Sequence, residues 1–289
     1  MLAAIIRGDC ASKPLSTRKK DETEGSTPRR KRVHHDDLGE DLLNRYRSVF
    51  LSDLHLGTRW SRPEQLGVFL GRVRCDFLYL VGDIIDGWKV SRLRNMSDSH
   101  RDILKRLGTL ARESQVTFIP GNHDEFLDRF LGLRKARMFF RDRAFHRTAD
   151  GRCFLVSHGD EFDPSVRGSR FLNTLAGRVY ELALWFNAAL PLAGRRRRSI
   201  AGLLKRKFKS LACALSGFER KIIAEAKRAG LDGVICGHLH NPFIRDVRDV
   251  LLCNCGDWVE HRSALVEHFD GRLEVLNLDE TGSLIPGRP

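Results

Sequence analysis

Two histidines, His238 and His240, stand two residues apart in Gly237-His238-Leu239-His240, directly after the apolar run Gly233-Val234-Ile235-Cys236. No helical turn separates them, so both imidazoles leave one short loop. Four other stretches share the plan of an apolar run followed by aspartate, asparagine or histidine. They are Asp53-x-His55, Gly82-Asp83-x-x-Asp86, Gly121-Asn122-His123-Asp124 and His158-Gly159-Asp160. Imidazole and carboxylate together suit Mn, Fe, Zn or Ni, and the lack of a thiolate argues against a structural zinc site. Two cations about 3.5–4 Å apart would share a bridging carboxylate and polarise a bridging water. Such a water becomes hydroxide near neutral pH and attacks phosphorus. One D-x-H or Gly-Asp alone is a chance turn, and a lone histidine is usually a hydrogen-bonded core residue. Five blocks in order, each closing an apolar run, carry more weight than any one of them.

Chemistry of this kind needs strands that end together. Tyr46 to His55, Asp76 to Asp83, Val116 to Asp124, Cys153 to Asp160 and Asp232 to His240 each read as a strand running into a loop. Their unbroken apolar runs fit a sheet covered on both faces. Pro63 to Val73 reads as a helix, and so does Ser97 to Arg112, with Ile103, Leu104, Leu107, Leu110 and Ala111 at helical spacing. Loops at the strand ends of an α/β sheet open on one crevice, so Asp53, His55, Asp83, Asn122, His158, His238 and His240 are expected to meet there. Towards the C-terminus Val250 to Trp258, Ala264 to Asp270 and Arg272 to Leu278 read as strands joined by turns such as Asp270-Gly271.

The chain has 289 residues, 42% of them hydrophobic, enough for one large core. Its formal net charge is +13, a balance that favours an anionic partner: nucleic acid, an anionic membrane surface or a phosphorylated substrate. Part of that charge lies in residues 1–44, a polar stretch with "RRKR" that lacks apolar periodicity and reads as a disordered basic tail. The opening "MLAAIIRG" is apolar over too few residues for a secretory signal. The cysteines, Cys10, Cys75, Cys153, Cys213, Cys236, Cys253 and Cys255, are odd in number and mostly set in apolar runs. Reduced, buried thiols in a cytosolic protein are expected. Residues 164–230 read as helices only, with Phe171, Tyr180, Trp185, Phe186 and Phe208 and the basic run Arg195 to Arg198. This is a helical insertion, and the polar residues inside its greasiest part make it a poor membrane span.

The ordered set of blocks resembles the calcineurin-like metallophosphoesterase superfamily, whose pattern is D-x-H, G-D-x-x-[DE], G-N-H-[DE], H-G-[DH] and G-H-x-H. Every block is present, and the resemblance covers roughly residues 46–270. It implies an α/β protein, a four-layer α/β/β/α sandwich over residues 45–289 with the helical insertion inside it. It also implies a dinuclear centre of two divalent ions, Mn2+ first, with Fe, Zn or Ni as alternatives. Asp53, His55, Asp83 and His240 would hold one ion. Asp83, Asn122, His158 and His238 would hold the other, with Asp83 between them. Asp83, Asn122 and His123 would be catalytic, His123 standing beside the phosphate to stabilise charge or protonate the leaving group. Asp86 and Asp124 would orient ligands from behind, with Asp160 either doing the same or being a loop acid.

The superfamily fixes the chemistry and leaves the substrate open. Asp83-x-x-Asp86-x-Trp88 is similar to the D-x-x-[DE]-x-W stretch of the bacterial UDP-2,3-diacylglucosamine pyrophosphatases, which act in lipid A synthesis. Those enzymes also carry a helical lid between the H-G-D and G-H-x-H blocks. The best-known branch has arginine where this chain has His123. The implied reaction is cleavage of a UDP-linked acylated sugar to UMP and a lipid monophosphate. Trp88, Arg167, Arg170, Lys205 and Lys207 would contact substrate, and the place of work would be the cytoplasm or the inner face of the inner membrane. A nuclease or phosphoprotein phosphatase of the same superfamily also fits, although no nucleic-acid recognition signature is present. A third reading is a non-catalytic scaffold on the same fold.

Overall fold

The computed structural model describes residues 44–86, 96–135, 137–163, 217–279 and 282–286. Strands β1 (Asn44–Leu51), β2 (Val73–Val81) and β3 (Gln115–Ile119) pair in parallel, with Phe50 opposite Tyr79 and Tyr79 opposite Thr117. Parallel neighbours need crossovers, and helices supply them. α1 (Pro63–Arg72) links β1 to β2; proline in its first turn costs no hydrogen bond, and Leu66, Phe69 and Leu70 are buried. α2 (Asp98–Glu113) lies between β2 and β3 and buries Ile103, Leu107, Leu110 and Ala111, one stripe of the helix.

The first sheet continues through β4 (Arg134–Lys135), β5 (Met138–Phe140), β11 (Ser263–Glu267), β12 (Leu273–Leu278) and β13 (Leu284–Pro286), in the order β13-β12-β11-β1-β2-β3-β5-β4. The second contains β6 (Ala144–Arg147), β7 (Cys153–Val156), β8 (Gly233–Cys236), β9 (Phe243–Val247) and β10 (Val250–Asn254), in the order β6-β7-β8-β10-β9. Its three middle strands are parallel, with Val156 and Cys253 on either side of Ile235.

Three apolar layers hold the four structural layers together. α1 and α2 pack on the first sheet through Leu66, Phe69, Ile103, Leu107 and Trp258. Phe50, Tyr79, Val81, Phe154, Ile235, Cys253 and Leu265 fill the space between the sheets. Helix α3 (217–229) covers the second sheet, burying Phe218, Ile222, Ile223 and Ala226 against Leu155, Val234 and Leu252. The result is the expected α/β/β/α sandwich. The C-terminal part of the stretch read as an insertion is thus a helix of the outer layer, because its apolar stripe has a sheet to cover. Among the described residues no helix is long and apolar enough to cross a membrane.

One polar cluster also joins the sheets. Glu267 of β11 is fully buried and accepts from Arg47 at 2.7 Å, from the Ala149 backbone at 2.7 Å and from Ser48, with His146 of β6 at 2.8 Å. Tyr79 approaches the other ring nitrogen of His146 at 3.1 Å. A charge this deep persists only when paired and hydrogen-bonded.

Candidate metal centre

The parallel strands of both sheets send their C-terminal ends to one crevice. β1 delivers Asp53 and His55, β2 delivers Asp83 and Asp86, and β3 delivers Asn122, His123 and Asp124. From the second sheet, β7 delivers His158 and β8 delivers His238 and His240. Backbone hydrogen bonds tie the loops together: Asp53 N to Gly82 O at 3.0 Å, His55 N to Asp83 O at 2.9 Å, and Gly237 N to His158 O at 3.1 Å.

Side-chain nitrogen and oxygen atoms gather in three overlapping groups, each within 4.8 Å: Asp53–His55–His240, His55–Asp83–His123 and Asp53–Asp83–His158. His240 Nε2 lies 3.1 Å from Asp53 Oδ1, and His55 Nε2 lies 3.9 Å from both Asp53 Oδ1 and Asp83 Oδ2. Left-handed backbone marks the same residues. Asp53, His55, Asp83, His238 and His240 have φ of 52°, 45°, 52°, 67° and 54°. Such conformations cost on the order of 1–3 kcal/mol each and concentrate at functional sites. Close approach also needs glycine: at Gly82, with φ 78°, a Cβ would lie 2.1 Å from His158 Nδ1.

Each carboxylate is half used. Asp53 Oδ2 accepts the His238 backbone N–H at 3.0 Å, and Asp83 Oδ1 accepts that of His123 at 2.8 Å. The second oxygens, Asp53 Oδ1 and Asp83 Oδ2, face the imidazoles. His158 is the most telling of these. Its Nδ1 lies 3.1 Å from Val81 O, an acceptor only, so Nδ1 carries the proton and donates. A neutral ring then aims the Nε2 lone pair at Asp83 Oδ2, 3.5 Å away. Two acceptors face each other there only with a proton or a metal cation between them. Burial disfavours an imidazolium, but Asp83 outweighs burial and the His158 pKa is pushed up to about 10. His240 is driven up to about 11 against the same burial by Asp53 and Asp257. Burial likewise opposes ionisation of Asp83, yet His158, His123 and His55 hold its carboxyl well below the usual range.

The donor set fits divalent cations. Asp53 Oδ1, Asn122 Oδ1 and His158 Nε2 are buried and make no aligned hydrogen bond. Each such atom costs roughly 1–3 kcal/mol unless something satisfies it, and a pair of divalent cations would satisfy them. None of the three groups contains cysteine. Cys236, Cys253 and Cys255 are buried core thiols, and burial pushes Cys236 up to about 12.

The remaining expected residues fall into place unevenly. His123 is partly exposed at the rim, with Nε2 3.9 Å from Asp83 Oδ2 and Nδ1 3.7 Å from Asp86 Oδ1. Asp124 is fully buried and clamps the loop after β2, accepting from the Ile84 and Ile85 backbones at 2.8 Å each. Burial, then the nearby Asp83, raises its pKa to about 7. Asp160 opens a 3-10 turn and lines a cavity of about 210 Å³ that reaches His158. His238 stands apart from the three groups; its Nε2 meets Asp163 Oδ2 at 2.9 Å, and its ring lies 5.3 Å from that of His158. Trp88, Arg167, Arg170, Lys205 and Lys207 lie outside the described residues, as does most of the expected insertion.

Two acids went unread in the sequence. Asp163 pairs with His238. Asp257, in Gly256-Asp257 after β10, lies 3.6 Å from His240 Nδ1 and 2.9 Å from His261 Nδ1. Burial opposes its charge, but His240, His261 and backbone amides keep its carboxyl below the usual range. The signal for Asp257 was available, because it too is an acid after glycine at the end of an apolar strand.

Comparison with known proteins gives the arrangement its context. A UDP-2,3-diacylglucosamine hydrolase of Porphyromonas gingivalis is 26% identical over 263 residues, covering 80% of this chain and 97% of that protein. One from Stenotrophomonas maltophilia is 27% identical over 243 residues, 75% and 93% of the two chains. Among solved structures, the Escherichia coli phosphoesterase YfcE aligns over 82% of this chain and 96% of its own, with 17% identity and a TM-score of 0.43. The family model for calcineurin-like phosphoesterases matches residues 46–242, a stretch that takes in all five motif blocks. With a matched span of that extent, the chain belongs to the calcineurin-like phosphoesterase family and is a hydrolase of phosphoric ester or anhydride bonds.

Proposed function

We propose that this enzyme cleaves the pyrophosphate of a UDP-2,3-diacylglucosamine-like lipid precursor, releasing UMP, with two divalent cations held in the crevice. The observation that carries the metal reading is the set of buried ligand atoms left without hydrogen bonds, Asp53 Oδ1, Asn122 Oδ1 and His158 Nε2. Support for the substrate comes from the diacylglucosamine hydrolases, which align with this chain over nearly their whole length.

Asp53, His55, Asp83 and His240 would hold one cation, and Asp83, Asn122, His158 and His238 the other. Mn2+ is the first choice, with Fe, Zn or Ni as alternatives. When bound, two such ions polarise phosphoryl oxygen and lower the pKa of water toward neutrality. The protein's part is positioning. Asp83 offers Oδ2 to both sides of the crevice while the His123 amide fixes Oδ1. His158 is aimed from behind by Val81 O. Asp124 holds the loop that carries Asp83 and Asp86. His123, at the rim beside Asp86, would donate a proton to the leaving oxygen. Trp88, Arg167, Arg170, Lys205 and Lys207 would contact the phosphates and sugar, and the insertion would shelter the acyl chains. The net charge of +13 suits work on an anionic membrane surface, at the cytoplasmic face of the inner membrane.

The test is UMP release from UDP-2,3-diacylglucosamine with added Mn2+, run beside bis(p-nitrophenyl) phosphate, single-stranded DNA and a phosphopeptide. UMP release is expected, and Asp83→Ala should abolish turnover of every substrate. Cleavage of the generic diester without UMP release would overturn the lipid assignment, and preferential cleavage of DNA or phosphopeptide would name a nuclease or phosphatase instead. Undiminished turnover by Asp83→Ala would overturn the metal assignment itself.

A further inference from the structure

Asp257 follows a sixth apolar strand, β10, in Asn254-Cys255-Gly256-Asp257-Trp258, and is fully buried. A buried carboxylate needs its lone pairs filled. Oδ1 is full, because it accepts the backbone N–H groups of Val259, Glu260 and His261 at 2.8, 2.6 and 3.0 Å. Oδ2 pairs with His261 Nδ1 at 2.9 Å, and its other side faces His240 Nδ1 at 3.6 Å.

The loop that carries Asp257 is held on every side. Gly256 has φ 77°, and a Cβ there would lie 1.9 Å from Ser263 Oγ, so a side chain is excluded at this turn. Ser263 Oγ accepts the Asp257 N–H at 3.2 Å and donates to Cys255 O at 2.9 Å. Trp258 N–H donates to Asp53 O at 3.1 Å, so one loop grips both this carboxylate and the backbone of Asp53.

The two nitrogens of His240 have different neighbours. Nε2 looks into the crevice, 3.1 Å from Asp53 Oδ1 and 3.4 Å from His55 Nε2. Nδ1 looks away from it, toward Asp257. We propose that Asp257 is a positioning residue: it holds His240 in the Nδ1–H tautomer and so points the Nε2 lone pair at the cation shared with Asp53 and His55. A carboxylate behind a ligating imidazole fixes ring orientation and raises ligand basicity. The assignment rests on the reading that the crevice holds divalent cations, and it is independent of which phosphoester is cleaved.

Mn2+ titration calorimetry on wild type and Asp257→Asn tests it. Asparagine keeps the shape and the oxygen that three backbone amides use, but turns an amino group toward the two histidines. One Mn2+ site should weaken by about 10–100-fold, the usual cost of losing such a partner, while the other stays unchanged. In a His240→Ala background, Asp257→Asn should cause no further loss. Wild-type affinity at both sites in Asp257→Asn would overturn the assignment, and so would an undiminished loss in the His240→Ala background. The wild-type protein gives an answer that does not depend on any variant folding. Loaded with Zn2+, its long-range ¹H–¹⁵N spectra should show His240 protonated at Nδ1 and metal-shifted at Nε2, and the reverse pattern would overturn the assignment. Failure of wild type to bind Mn2+ or Zn2+ at all would instead remove the metal reading beneath it.

Discussion

Asp83 and His123 share a backbone contact yet are expected to fail differently when changed. Asp83 is nearly buried, with one oxygen fixed by the His123 amide and the other facing three imidazoles. His123 is at the rim and reaches the crevice with one ring edge. Asp83→Asn should therefore lose metal and turnover together, whereas His123→Gln should keep its metal and lose about 10²–10⁴-fold in kcat, the usual worth of a positioned acid. Metal analysis beside steady-state kinetics separates the two, and metal loss in His123→Gln equal to that in Asp83→Asn would make His123 a ligand rather than an acid. Asp53, His55, Asp83, His158 and His240 were legible because each follows an apolar run that only a buried strand explains. Asp163 was not legible, since its partner His238 lies far along the chain and nothing local in Asp160-Glu161-Phe162-Asp163 marks it.

At the scale of elements, buried strands were readable and edge strands were not. β1, β2, β3, β7 and β8 are apolar because both faces are covered, so their runs stand out in the sequence. β4 consists of Arg134 and Lys135, and β9 of Phe-Ile-Arg-Asp-Val; such charged, short edges resist further pairing and hide the strand pattern. β6 hides for another reason. Its Ala144-Phe145-His146-Arg147 carries a histidine whose partner, Glu267, comes from the other sheet. Burial opposes ionisation of Glu267, but His146, Ser48 and the Ala149 amide outweigh it and lower its pKa. The folded protein then binds fewer protons at this group than the unfolded chain does. The stability it gives is complete above the ordinary glutamate value of about 4.3 and is lost as pH falls through the lower folded value. Glu267→Gln leaves the buried end of Arg47 without its counter-charge and His146 without its carboxylate partner, so a loss of about 3–5 kcal/mol is expected at neutral pH. Denaturant unfolding at pH 7 and pH 3 checks both parts, and the gap between wild type and variant should narrow at the lower pH. An equal gap at both would mean the carboxylate acts by shape alone.

In the whole molecule, the crevice draws on both sheets at once. Asp53, His55, Asp83 and Asn122 hang from the first sheet, and His158, His238 and His240 from the second. A cation gripped by both sets binds the folded state and finds no such site in the unfolded chain, so it must add to stability by mass action. At a free concentration of 100 times Kd, one site adds about 2.7 kcal/mol. For a domain of this size that corresponds to a rise in Tm of roughly 5–10 °C, taking about 2–4 °C per kcal/mol. Thermal unfolding with EDTA and then with stepped Mn2+ should show that rise. Asp83→Asn should flatten it, because the carboxylate proposed to serve both cations is gone. Glu267→Gln should shift the whole series down without changing its slope, because the buried staple and the crevice act on the same pair of sheets through separate contacts. A Tm that ignores Mn2+ would mean that the folded crevice holds the ion no more tightly than the unfolded chain does, and the seven side chains would then not be its ligands.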